Sequence, residues 1–284
     1  MPVNHPPQKK SLGQHFLSDD IHLSRIVAAA ELTKDDTVLE IGPGPGTLTR
    51  YLAAQADRVI AVELDNRLIE PLRSQFANQP HVEIVHGDIL EMELKDLLVG
   101  RWREEEIADC GLRVTESNTN PQFKIVANLP YYITSAVLRH ILEASVKPTV
   151  AVLMVQKEVG ERIVAQPGDL SLLAISVQFY SQAKIVHRVP ASAFRPPPKV
   201  DSAVLRLDLL PGPAVADVDV EKFFDVVRAG FSQKRKQLLN SLSAGLRLSK
   251  AEIETRLHFV GIDPKRRAET LSLQEWGELY RTFL

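Results

Sequence analysis

A single cysteine, Cys110, in 284 residues excludes an internal disulfide and fits a reducing compartment. Nowhere does the chain run through the ~18 consecutive apolar residues of a membrane-spanning helix. The N-terminal MPVNHPPQKKSLGQHF has no apolar core of signal-peptide length. The expectation is a cytoplasmic protein with no membrane partner and no metal site. Charge of one sign is lacking too. With 34 basic and 36 acidic residues the net charge is -2, so any surface for a polyanion must be a local patch. What remains is ordinary globular usage, 44% hydrophobic and 25% charged, in a chain long enough for two domains.

What the chain does have is alternation. Residues 1–11 are polar and Pro-rich and are expected to be mobile, and SDDIHLSRIVAAAEL then reads as a helix with Ser18 as N-cap. Apolar strand runs at 37–42, 58–64, 81–87, 123–129 and 149–156 are each followed by a helical pattern. A helix at 171–181 and two closing strands at 183–189 and 202–210 complete the series. The fold class is therefore α/β: a doubly wound, mostly parallel, Rossmann-like sheet, with both faces of its Val/Ile/Leu-rich strands buried. PGPAVADVD, residues 211–219, reads as a linker, and four helical patterns follow it. The expected division is a domain at 1–211 and a small all-helical domain at 212–284. Residues 100–122, charged and aperiodic, read as a long surface insertion.

EIGPGPGTLT joins the first strand to its helix, and Gly42, Gly44 and Gly46 permit unusual backbone angles and close approach of a ligand. Ligands of such sheets sit outside the carboxyl ends of the strands. Glu63 ends the second strand, about 20 residues on, where an acid binds ribose hydroxyls. Asp88 ends the third, as an acceptor for an adenine amine or as a helix N-cap. Acceptors at successive strand ends suit S-adenosylmethionine, which lacks phosphate. The GxGxG spacing departs from the GxGxxG pattern of dinucleotide sites, and no hydride-handling site is evident for an NAD-dependent oxidoreductase.

The fourth strand stops on VANLPYY, residues 126–132: an amide, a rigid turn and two aromatic faces. NLPY is similar to the [DNS]-P-P-[YFW] signature of methyltransferases acting on exocyclic amines of bases. The lone pair of such an amine is delocalised into the ring, so the nitrogen is a poor nucleophile. The Asn128 side-chain carbonyl and the Leu129 backbone carbonyl are placed to accept its two hydrogens and localise that pair. Pro130 fixes the backbone, and Tyr131 offers a stacking face worth roughly 1–3 kcal/mol. Catalysis then rests on positioning. A base in a helix must be flipped out to reach the pocket, and Phe194, on a Pro-stiffened loop, is a candidate for its other face as well as for core packing.

Taken with LGQHFL (12–17), VQKEV (155–159), FRPPPKVDSAV (194–204), FSQKRKQLLNSL (231–242) and RAETLSLQEW (267–276), the chain resembles the ribosomal RNA adenine dimethyltransferases, and among them the small-subunit enzymes. The resemblance covers nearly the whole chain. It implies cofactor contacts from His15, Leu17, Gly42, Glu63, Asp88 and Asn128, to which the glycine loop's own pattern adds Gly44. It implies a target base held by Asn128, Leu129 and Tyr131, with Phe194 assisting. It implies dimethylation of two adjacent adenosines near the 3′ end of small-subunit rRNA, on an assembling particle; a monomer is expected of an enzyme that docks on such a particle. His15 stands where the family often has Asn, and QPGDLSLL lacks the family's usual Tyr-Gly. RNA contacts are expected from Lys234, Arg235 and Lys236, which open a helix, and from Arg195 and Lys199 beside Phe194, with Lys9 and Lys10 as a further basic pair. Two rivals stand beside this reading: a large-subunit methyltransferase of the antibiotic-resistance type, and an assembly or transcription factor that keeps the fold without the chemistry.

Overall fold

A computed structural model describes residues 15–99 and 122–284. The lead at 1–11, with Lys9 and Lys10, and the insertion up to residue 121 lie outside the described residues.

Nine strands are described: β1 (Phe16–Leu17), β2 (Thr37–Ile41), β3 (Arg58–Glu63), β4 (Val82–His86), β5 (Phe123–Asn128), β6 (Val150–Gln156), β7 (Ser181–Val189), β8 (Phe194–Arg195) and β9 (Ser202–Leu209). Seven form one sheet in the order β4-β3-β2-β5-β6-β9-β7. The pairs from β4 through β6 are parallel, and β9 runs antiparallel to β6, so the sheet is mostly parallel, as expected. Every residue of β2 is buried, because it lies between β3 and β5 with helices over its faces. Leu39 sits in register with Ile60 on one side and Ile125 on the other. The chain winds outward from β2 to β3 and β4, then crosses back to β5 on β2's other side. That reversal opens a crevice beyond the carboxyl ends of β2 and β5.

Local chemistry explains the helices. Helix 20–30 begins at Asp19, whose carboxylate accepts from the Ile21 and His22 amides; this corrects the expected cap at Ser18. Its Leu23, Ile26 and Val27 pack with Leu48 and Leu52 of helix 47–55 and with Val38, Val126 and Val152 of the sheet. Helix 66–75 starts at Asp65 and puts Leu68, Ile69 and Leu72 against Ala61 and Ile84. Periodicity alone had missed a small ladder: β1 pairs antiparallel with β8, Phe16 opposite Arg195 and Leu17 opposite Phe194. Two-residue strands have no period to read.

The chain divides into two compact units, one of residues 1–157 and 184–209, the other of 158–183 and 210–284. The last boundary, after residue 209, falls beside the Pro/Gly linker, whereas 158–183 joins the second unit instead of the first. The cause is helix 172–178 and the residue after it: Ala174, Ile175 and Phe179 belong to the same core as Phe223, Trp276 and Tyr280. Phe179 stacks on Phe223 with ring centroids 4.9 Å apart. Helices 220–231, 238–246, 250–259 and 273–281 supply the rest of that unit, the last two with complete capping boxes at Ser249/Glu252 and Ser272/Glu275. Lys234, Arg235 and Lys236 are exposed in the turn before helix 238–246 instead of opening it. Among the described residues no helix is long and apolar enough to cross a membrane, and no group of His, Cys, Asp and Glu is placed to hold a metal ion.

Candidate active site

The crevice at the strand ends holds a cavity of about 290 Å³. Its walls come from the ends of β2, β3, β4 and β5 and from the β1 and β8 segments. The glycine loop is left-handed three times, with φ of 69°, 57° and 76° at Gly42, Gly44 and Gly46. At Gly46 a Cβ would come within 2.9 to 3.1 Å of Phe76, Leu72 and Gln75, so the loop lies flat on helix 66–75.

Glu63 holds that loop from β3. One carboxylate oxygen accepts from the Gly44 amide at 2.9 Å and the other from the Asp65 amide at 2.8 Å. The side chain is buried; burial pushes its pKa up, and the two amide donors oppose that rise. Asp88 follows β4 and does cap the short helix 89–91, with Oδ1 accepting from the Leu90 amide at 2.9 Å, yet it also lines the cavity. The cap occupies one carboxylate oxygen, and a carboxylate has a second one able to accept.

On the other side, Asn128 ends β5 and donates from Nδ2 to the His15 carbonyl at 3.4 Å. Leu129 is buried, and Pro130 leads into the turn 131–133 with φ −58° and ψ 133°. Tyr131 is half-buried. Its hydroxyl shares a 2.7 Å hydrogen bond with Ser202, and burial raises its pKa. The His15 ring stacks against it at 6.0 Å, while His15 Nδ1 donates to the Pro196 carbonyl at 2.8 Å. His15 thus ties the β1–β8 ladder to the NLPY turn.

All of His15, Leu17, Gly42, Gly44, Glu63, Asp88, Asn128, Leu129, Pro130, Tyr131 and Phe194 line this one cavity. Phe194 is not a free platform: it is 2% exposed and packs with Leu17, Val189 and Val204, forming a wall. Arg195 and Lys199 are exposed nearby in sequence, but they are not among the lining residues. Among the lining residues that sequence reasoning missed, two are ionisable. Tyr132 is 60% exposed at the rim, with the Asp88 and Glu63 charges adding to burial in raising its phenol. Glu40 sits in β2, 1% exposed; its signal was a lone acid inside an apolar run just before the glycine loop.

The lining carries three carboxyls, Glu40, Glu63 and Asp88, and no lysine or arginine. Such a site welcomes a cation and repels a pyrophosphate. With this sheet order and the left-handed glycine loop, the molecule is a Rossmann-like methyltransferase. The family model for Ribosomal RNA adenine dimethylase matches residues 7–283, and the chain belongs to that family. A ribosomal RNA small subunit methyltransferase A from Dehalococcoides mccartyi is 46% identical over 271 residues, covering 95% of this chain and 87% of that protein. One from Moorella thermoacetica is 42% identical over 276 residues, covering 96% and 92%. Among solved structures, a dimethyladenosine transferase from Plasmodium falciparum superimposes with a TM-score of 0.75 at 26% identity, over 95% of this chain and 97% of that one. The 23S rRNA methyltransferase ErmE gives 0.70 at 29% identity, over 94% and 98%.

Proposed function

We propose that the protein uses S-adenosylmethionine to dimethylate the 6-amino groups of two adjacent adenosines near the 3′ end of small-subunit rRNA. The observation that carries this is the order of the strand ends. Across the sheet, β4, β3, β2 and β5 present Asp88, Glu63, the glycine loop and Asn128 in turn. That is the bonding order of the reacting assembly: adenine, ribose, sulfonium and acceptor amine. The donor set fits the cofactor, with carboxyls for an amine, a diol and a cation, and no basic side chain for a phosphate. When bound, the cofactor supplies an activated methyl on its sulfonium.

The residues of this chain do the rest by positioning. Asp88 and Glu63 anchor the nucleoside end. The Asn128 side-chain carbonyl and the Leu129 carbonyl accept the two hydrogens of the target amine, and Pro130 sets their angle. Tyr131, steadied by Ser202 and His15, is oriented before a base arrives. A stacked base gains roughly 1–3 kcal/mol there. Phe194 shapes the wall against which the base rests. The exposed cations Lys234, Arg235 and Lys236, with Arg195 and Lys199, serve the RNA backbone, and the helical second unit serves the ribosomal particle. The enzyme works as a cytoplasmic monomer docking on an assembling small subunit.

Identities of 46% and 42% to proteins named for the small subunit, against 29% to a 23S enzyme, support the small subunit as target. The test is transfer of labelled methyl to unmethylated small and large subunits, presented separately. Dimethyladenosine in the small subunit alone is expected. Label in the large subunit alone would move the enzyme to the resistance-type branch. Particle binding without label would make it an assembly factor.

A further inference from the structure

Glu40 is the buried acid that the positioning scheme above leaves without work. It stands in β2 between Ala61 of β3 and Val126 of β5, two residues before Gly42, and lines the cavity. It is 1% exposed, and its Oε2 has no hydrogen-bond partner among the described residues. A buried carboxylate left in this state is costly, so the group is expected to stay protonated until a partner arrives. From β3 the charge of Glu63 faces it; from helix 47–55 it meets the Thr49 hydroxyl. The other titratable groups of the lining are His15, Asp88, Tyr131 and Tyr132. Burial, with Glu63 adding to it and Thr49 opposing, pushes the Glu40 carboxyl up to about 8.

We propose that Glu40 is a proton-exchanging counter-charge that lets the pocket tell the methylated cofactor from the spent one. The inference rests on the reading of this cavity as the S-adenosylmethionine site. The strand-end order puts the β2 end beside the cationic part of the ligand. In the empty pocket Glu40 is neutral. Beside a sulfonium it ionises and gives its proton to solvent. Transfer leaves the C–S electron pair on sulfur and moves one positive charge to the acceptor nitrogen, which sheds it as a proton. Glu40 then faces a neutral thioether and takes up a proton from solvent. A pocket holding S-adenosylhomocysteine is weakened by the lost charge pair, which favours exchange for a fresh cofactor before the next methylation.

The sign follows from linkage. A carboxyl that is protonated in the free protein and ionised in the complex makes affinity rise with pH, by up to about tenfold per unit, until pH passes its free-state value. Calorimetry of both ligands in buffers of differing ionisation enthalpy reads this directly. At pH 7 the wild-type protein should release close to one proton more with S-adenosylmethionine than with S-adenosylhomocysteine. The difference should vanish by about pH 9. Glu40→Gln should abolish it and cut affinity for S-adenosylmethionine at least about tenfold, with little change for S-adenosylhomocysteine. Equal release with both ligands would overturn the proposal, as would release that persists in Glu40→Gln and disappears in Glu63→Gln. Either result keeps the cofactor reading. Folded wild-type protein that binds neither ligand would overturn that reading instead. Should Glu40→Gln fail to fold, the wild-type pH series alone decides: a difference in release that does not decline from pH 7 to 9 overturns the proposal.

Discussion

Replacing Glu63 with glutamine separates its hold on the glycine loop from the ribose contact proposed for it. Its oxygens accept backbone hydrogen bonds from Gly44 at 2.9 Å and Asp65 at 2.8 Å, and the side chain is buried. A carboxamide has one acceptor oxygen, and its NH2 must face one of those two N–H groups. A buried donor left unpaired costs about 1–3 kcal/mol, so the ligand-free variant should melt several degrees lower. A ribose diol on the carboxylate would add charge-assisted hydrogen bonds worth about 1.5–3 kcal/mol. That corresponds to roughly a 10- to 150-fold weaker cofactor affinity in Glu63→Gln. The assay is calorimetric binding of S-adenosylmethionine beside a thermal melt of the free protein. A lowered melting temperature with affinity within about twofold of wild type would show that Glu63 only holds the loop. The ribose assignment would then fail.

Further outcomes follow from the same geometry. Asn128→Ala should keep cofactor binding and lose methyl transfer by at least about 100-fold, because an acceptor aimed at the transition state is gone; an unchanged single-turnover rate would refute its role. Gly46→Ala combines φ of 76° with close approaches to Phe76, Leu72 and Gln75, and should destabilise the protein by roughly 2–4 kcal/mol in denaturant melts. Between the ordinary carboxyl value of 4.5 and about 8, Glu40 holds more protons folded than unfolded. Stability of the ligand-free protein should therefore fall as pH rises through that window, by up to about 1.4 kcal/mol per unit from this group, and Glu40→Gln should flatten the slope. Neutralising Lys234, Arg235 and Lys236 together should weaken particle binding and lower its salt slope by about 2–3, leaving cofactor affinity intact.

The sheet was legible because its central strands are buried on both faces. Runs such as TVLEI and VAVLMVQ need no period to be seen, and the glycine loop between strand and helix marks the crevice. The lining residues from Gly42 to Tyr131 were legible for a related reason: each falls where an apolar run stops. What sequence reasoning missed came from contacts distant in the chain. Nothing near Phe16 announces its pairing with Arg195, 179 positions away. Ser18 and Asp19 are both good caps, and only the geometry of the turn chooses Asp19. The segment 158–183 joins the second unit because Phe179 finds Phe223 there, a choice made by side-chain packing across 44 positions. Phe194 read either as a face for the base or as core packing, and its burial in the β1–β8 ladder shows packing. Glu40 passed as one residue of a strand because its meaning depends on burial, which a single acid in an apolar run only hints at.

The central claim is that four neighbouring strand ends read out one ligand and its acceptor in order. A crystal structure of the full chain with S-adenosylhomocysteine tests it most directly. The account predicts the adenine amine on Asp88, the ribose diol on Glu63, the amino-acid end over the glycine loop, and the thioether sulfur between Glu40 and Asn128. A ligand lying in the reverse sense, with its adenine against Tyr131 and its amino-acid end at Asp88, would contradict it.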